Sequence, residues 1–263
     1  MATHGMSFRL LPCATAFLLW AHVASAASTP TPDPTQTPSP VIPGTESETA
    51  ENRPASAFAA GGSFSFASRY LFQGIDYSDS KPVLNPQADL TAGPFQARLW
   101  MNHDLDQNVS NEFDLSLFHE WSAKKFSFTT GYTYLWYPHR EGWDPSQEFY
   151  VEASHDGPLS PTLSVHYDFD AGMGSYSTFG VSHSIARRVG TVSFGTNLFY
   201  QDHYYGLSGF PSSEWNIHLE RSLKKITVTP SISRFLTWKN GDFREENVVK
   251  SAWLFSFQIA REF

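Results

Sequence analysis

The chain has 263 residues, a formal net charge of −8, and 16% aromatic against 17% charged residues. Its acidic balance excludes a basic surface for nucleic acid, and its charge content lies below the roughly 25% of ordinary soluble domains. Such aromatic richness with so little charge suits a wall that meets lipid on one side and water on the other.

Arg9, the apolar run 10–21 and the small-x-small triplet Ala24-Ser25-Ala26 read as a secretory signal peptide, residues 1–26, cleaved after Ala26. The run is shorter than the roughly 20 residues of a spanning helix. The single cysteine, Cys13, lies within it, so the exported chain is expected to carry no disulfide and no thiolate metal site. Residues 27–56 are rich in Pro, Thr and Ser and read as an extended periplasmic linker.

From residue 57 to 263 the apolar pattern has period two, which predicts antiparallel strands with unlike faces. Phe113, Leu115 and Leu117 alternate with Asp114, Ser116 and Phe118; Leu163, Val165 and Tyr167 alternate with Ser164, His166 and Asp168. About twelve such runs occur, an even number as in single-chain bacterial barrels. Their cores are predicted at 58–72, 83–92, 95–103, 112–121, 126–137, 147–155, 162–170, 176–185, 191–201, 213–222, 226–236 and 250–263. Connections after even strands are short, as at Gly93-Pro94. Those after odd strands are mostly longer, as at 73–82, 138–146 and 237–249. This sorting predicts an all-β, transmembrane up-and-down barrel with short periplasmic turns, long outer loops and both termini in the periplasm. A lipocalin-like soluble barrel with the faces reversed is the structural alternative. Pro86 and Pro230 fall inside strands and predict a bulge or irregularity at each.

The last strand places Trp253, Phe255, Phe257, Ile259, Arg261 and Phe263 at every second position. Phe255, Phe257, Ile259 and the final Phe263 resemble the signal read by the barrel assembly machinery of the outer membrane; Arg261 stands where an apolar residue is usual. Tyr70, Tyr134, Trp136, Tyr200, Trp215, Trp238 and Trp253 gather near predicted outer strand ends and are expected to form an aromatic girdle.

Within 65–104, Ser68, Tyr70, Phe72, Gly74-Ile75, Ser78, Lys81-Pro82, Gln87, Asp89, Gly93 and Trp100 resemble the opening hairpins of the TorF-like family of outer-membrane porins. The resemblance implies a pore-forming role. Gln73 stands where that family carries an Arg before the glycine, so any loop contact or anion site served by that Arg is expected to be missing here.

Strand parity turns Arg69, Asp89, Arg98, Asp114, Glu120, Glu148, Glu152, His166, Asp168, Asp170, Glu214, His218 and Glu220 toward the lumen, with Phe118, Tyr150 and Phe199 narrowing it. The acidic excess predicts a cation preference. Passive diffusion of small hydrophilic solutes across a Gram-negative outer membrane is the expected function. Its alternatives are a non-conducting structural or adhesive barrel that binds partners through the loops after strands one, five, nine and eleven, and a lipid-modifying enzyme. For the last, Ser182-His183-Ser184 is the nearest nucleophile–base arrangement, but neighbours on a strand point to opposite faces. His166 with Asp168, and His218 with Glu220, have ligand-like spacing, but two such donors on one strand are common by chance in a polar lumen; no metal, cofactor or catalytic residue is expected.

Overall fold

The computed structural model describes residues 58–244 and 249–263; the predicted signal peptide and linker lie outside the described residues. The strands in chain order are β1 (Ala59–Ala67), β2 (Leu71–Phe72), β3 (Ile75–Asp76), β4 (Val83–Ala92), β5 (Phe95–Asp104), β6 (Val109–Ala123), β7 (Phe126–Trp136) and β8 (Ser146–His155). They continue as β9 (Thr162–Asp168), β10 (Gly174–Arg187), β11 (Gly190–Tyr204), β12 (Leu207–Gly209), β13 (Ser212–Leu223), β14 (Ile226–Thr237) and β15 (Ala252–Glu262), with a 3-10 turn at Gly241–Arg244.

Twelve of these form a closed antiparallel barrel. Each wall strand pairs with its neighbour along the chain, and β1 pairs with β15, aligning Phe66 with Phe257 and Ser63 with Ala260. Closure leaves no wall strand with an open edge. The hairpin β2–β3 stands apart from the wall, and β12 adds briefly to β11.

The alternation in sequence becomes two surfaces. Leu115, Leu117, Phe149, Val165, Tyr167, Phe179, Phe194, Ile217, Phe255 and Phe257 are exposed on the outside. Their neighbours Asp114, Ser116, Glu148, Ser164, His166, Thr178, Ser193, His218 and Gln258 are buried inside. This polarity rejects the reversed-face alternative, because a water-soluble barrel would expose the polar set. Tyr134, Trp136, Tyr200, Trp215, Trp238 and Trp253 are exposed as the girdle expectation requires; Tyr70 is 3% exposed and lies inside instead. Arg234 also faces outward, its guanidinium 5.2 Å from the Trp253 ring, where the long stem can reach the level of the girdle.

Turns at one end are tight: β6–β7 and β13–β14 are joined by Lys124-Lys125 and Lys224-Lys225, with φ of 58° at Lys124 and 61° at Lys224. At the other end the chain runs long between β1 and β4, β7 and β8, and β14 and β15. The prolines resolve without bulges. Pro86 pairs normally with Phe64 of β1, while the β4–β5 ladder lapses between Leu84↔His103 and Gln87↔Trp100 and resumes in the same register. Pro230 pairs with Phe257 of β15, and the β13–β14 ladder lapses between His218↔Ser231 and Arg221↔Val228. Each proline turns its missing N–H toward one neighbour only, so one ladder is interrupted and the register is kept.

The main departure from expectation is in the first strand. It leaves the wall after Ala67 rather than running to residue 72, and the chain turns into the barrel.

Candidate functional site in the barrel lumen

The segment 68–82 folds inward and crosses the lumen. Its base is a local knot of hydrogen bonds: Asp76 Oδ1 accepts from the Ser78 and Ser80 amides, Ser78 Oγ accepts from the Tyr70 amide, and Arg69 pairs with Asp76 at 3.3 Å. Tyr70 and Leu71 then pack on Trp100, Phe199, Phe235 and Leu254, all inward-facing wall residues. Phe72 reaches the far wall, meeting Tyr176 edge-on with ring centres 5.2 Å apart. At the tip, Ser212 Oγ donates to the Gln73 carbonyl at 2.7 Å, and Gln201 Nε2 donates to Gln73 Oε1 at 2.8 Å. Gly74 follows with φ 87°, and a Cβ there would lie 2.5 Å from Ser212 Oγ, so the tip needs a residue without a side chain.

The loop between β7 and β8 packs on this hairpin. The Arg140 carbonyl accepts from the Trp143 amide at 3.2 Å, a turn that sets the two side chains together. The Arg140 guanidinium lies 5.9 Å from the Tyr70 ring centre, 5.3 Å from Tyr77 and 5.1 Å from Trp143. Glu112 of β6 is 3.9 Å away. Tyr137 and Tyr205 pack on Trp143 at 5.1 and 5.8 Å. Among these rings a cavity of about 30 Å³ remains, room for a water or two. Burial, and after it the nearby carboxylates, push the Tyr77 hydroxyl pKa above its ordinary value and that of Tyr205 up to about 12.

The wall beneath is polar and mostly paired. Asp89 and Arg98 form an ion pair at 2.7 Å, joined by Gln87 Nε2 at 2.8 Å, and Arg98 lies 5.2 Å from the Phe118 ring. His166 is stacked between Tyr150 and Tyr176, with ring centres 4.8 and 4.5 Å away, and its Nδ1 is 2.9 Å from Glu148. The Tyr176 hydroxyl donates to the same carboxylate at 2.9 Å. Glu214 accepts from Asn197 Nδ2 at 2.9 Å.

Most residues predicted to line the lumen are therefore on the inner face: Asp89, Arg98, Asp114, Glu120, Glu148, Glu152, His166, Asp168, Glu214, His218 and Glu220, together with Phe118, Tyr150 and Phe199. Two are not wall residues. Arg69 lies past the end of β1 in the inward segment, and Asp170 is exposed beyond β9, bonded to Gln147 at 2.9 Å. The candidate ligand pair His166 and Asp168 diverges: His166 faces Glu148, whereas Asp168 accepts from Ser146 Oγ and from the Asp170 and Gly172 amides, holding the loop after β9. His183 is exposed, its Nδ1 donating to the Pro158 carbonyl at 2.7 Å, while Ser184 shares a hydrogen bond with Ser193 at 2.8 Å. Their opposite directions prevent a joint nucleophile–base role.

Sequence reading missed Glu112, Gln201, Arg140 and the inward course of Gln73. Glu112 has the parity of Asp114 and opens the predicted strand 112–121, so the same inward parity marks it. Gly74 belonged to a noted motif, and its need for positive φ marks the sharp turn. Arg140 carries no local signal, because its partners beyond its own loop, Tyr70, Tyr77 and Glu112, come from two segments distant in the chain.

No family model and no curated protein matches the chain. Similar solved structures include the NanC porin, at 12% identity over 78% of this chain and 99% of that one, with a TM-score of 0.48. An outer-membrane channel from Pseudomonas putida F1 is 10% identical, covers 81% of this chain and 100% of that one, and has a TM-score of 0.45. CdiB from Acinetobacter baumannii is 8% identical over 79% of this chain and 60% of that one, with a TM-score of 0.38. The barrel assignment rests on the strand pairing itself.

Proposed function

We propose that this chain is a channel for passive diffusion of small hydrophilic solutes across the outer membrane of a Gram-negative bacterium, with a preference for cations. The observation that carries the reading is a closed barrel with an apolar outer wall and an ionisable inner one, the arrangement a bilayer demands of strands that cross it. The likeness of residues 65–104 to TorF-like porins supports the same reading. Asp89, Glu112, Asp114, Glu120, Glu148, Glu152, Asp168, Glu214 and Glu220 face inward against Arg98 and Arg140, and such an excess of acids favours cations. The tight-turn end and both barrel termini are assigned to the periplasm. Export by the signal peptide and insertion by the assembly machinery acting on Phe255, Phe257, Ile259 and Phe263 complete the proposal.

The inward hairpin and Arg140 occupy the lumen in the described conformation, and in this reading conduction proceeds by their displacement. This filling favours a second reading, a non-conducting barrel acting through the loops 137–145, 205–211 and 238–251; the loop after β1 is spent inside and is unavailable to a partner. Planar-bilayer recording on refolded protein whose gel mobility shifts on heating separates the two. Discrete steps with a cation-selective reversal potential support the channel. Silence from folded protein overturns it and leaves the second reading.

A further inference from the structure

We propose that the box formed by Tyr70, Tyr77, Trp143 and Glu112 is a binding site for small organic cations of the guanidinium or quaternary-ammonium class, with Arg140 as its tethered resident. The site's access to an external solute rests on the channel reading, in which the long-loop end faces the medium; binding itself does not require conduction.

The box has the components that recognise such cations. Three ring systems surround one point, at 5.9, 5.3 and 5.1 Å from the resident guanidinium carbon, and the negative faces of aromatic rings attract a cation within about 6 Å. The carboxylate of Glu112 lies beside it and is held by the Tyr70 hydroxyl. The resident fits loosely. Its Nη2 stands 3.9 Å from Glu112, beyond hydrogen-bond length, and this buried nitrogen has no hydrogen-bond partner. A guanidinium offers five donors, and leaving one unmade away from water is unfavourable. A free guanidinium could settle closer to Glu112, and a quaternary ammonium has no donor to leave unmade.

The cavity of about 30 Å³ cannot admit a second cation while Arg140 is present, so ligand and Arg140 compete for one place. Arg140 is carried by a loop at the outer mouth, and its departure removes the contacts that hold this loop on Tyr70 and Tyr77. An entering cation thereby loosens the closure over the lumen.

The test is calorimetric titration of the refolded barrel in detergent with tetramethylammonium chloride and with guanidinium chloride at low millimolar concentration, against sodium chloride. Arg140→Ala is expected to bind tetramethylammonium about tenfold more tightly than the unsubstituted chain, and Arg140→Gln should show the same direction if the smaller residue collapses the loop. Adding Glu112→Gln to either should remove the gain. The proposal is overturned if both Arg140 variants, folded by heat-shifted mobility, bind no more tightly than the unsubstituted chain. It is also overturned if sodium shows the same gain, or if the gain survives the loss of Glu112. Tight binding by a barrel silent in bilayers would remove the channel reading and keep the site; conduction without binding would do the reverse.

Discussion

Ser212 of β13 donates its hydroxyl hydrogen to the backbone carbonyl of Gln73 at 2.7 Å, tying the tip of the first long loop to a wall strand three places from β1. That bond, with the Gln201–Gln73 contact, holds the hairpin tip inside the barrel. Ser212→Val leaves a buried carbonyl without its donor and should weaken the anchor by about 1–3 kcal/mol. Gly74→Val forces a side chain into Ser212 at φ 87° and should displace the tip further. Both are expected to raise open probability in single-channel records, Gly74→Val more; unchanged records would show that the hairpin does not govern passage.

The Asp89–Arg98 pair supplies a test of selectivity. Arg98→Gln removes a lumen cation and leaves the Asp89 charge unbalanced, so the reversal potential should move toward stronger cation preference, and Asp89→Asn should move it the other way. With side chains 17% and 27% exposed, loss of the pair should lower stability by about 1 kcal/mol at most. Equal selectivity in both variants would place the conducting path elsewhere.

Gly131 of β7 sits under the Tyr150 ring, and a Cβ there would lie 2.4 Å from it. Gly131→Val should destabilise the barrel by about 1–3 kcal/mol through overpacking, read as a lower urea midpoint. Tyr150→Ala in the same chain should restore much of the loss; an additive penalty would show that the ring is not the obstacle.

Tyr77 and Tyr205 are held neutral beyond the ordinary tyrosine range. A hydroxyl whose folded pKa is raised favours the folded state below its unfolded pKa of about 10 and loses that contribution as pH climbs toward the folded value, about 12 for Tyr205. Phenolate absorbance should therefore show two classes of tyrosine, the later one accompanied by loosening of the mouth between about pH 10 and 12. Removing Trp143 with Trp143→Ala should return Tyr77 and Tyr205 toward the early class.

For the final strand, Phe263→Ser should reduce outer-membrane levels in cells while refolding in detergent proceeds normally, because Phe263 is 73% exposed and contributes little packing. Equal loss in both settings would make the residue structural and remove its proposed role as an assembly signal.

Much of the wall was readable from residues alone. The run Ser164 to Asp168 declares its two faces within five positions, and β8 was predicted to within one residue of Ser146–His155. The first strand was misjudged because Tyr70 and Phe72 continue the alternation of Phe64 and Phe66 after the chain has left the wall. Period two records a two-sided environment, and an inward hairpin between aromatic rings and polar groups is also two-sided. Asp170 failed for a related reason: parity extends past Asp168, but the backbone there is captured by the Asp168 carboxylate and turns.

The residues alone specify the strands, their order, the identity of the inner and outer faces and the end at which the long loops lie. These follow from local alternation and turn residues, since each wall position must suit lipid on one side or water on the other. The folded barrel alone sets what enters the lumen, and which groups hold it there. Gln73 meets Ser212, and Arg140 meets Tyr70, Tyr77 and Glu112, between segments far apart in the chain and inside a closed barrel. Those contacts depend on the diameter and shear of the finished wall, which no short stretch of chain encodes.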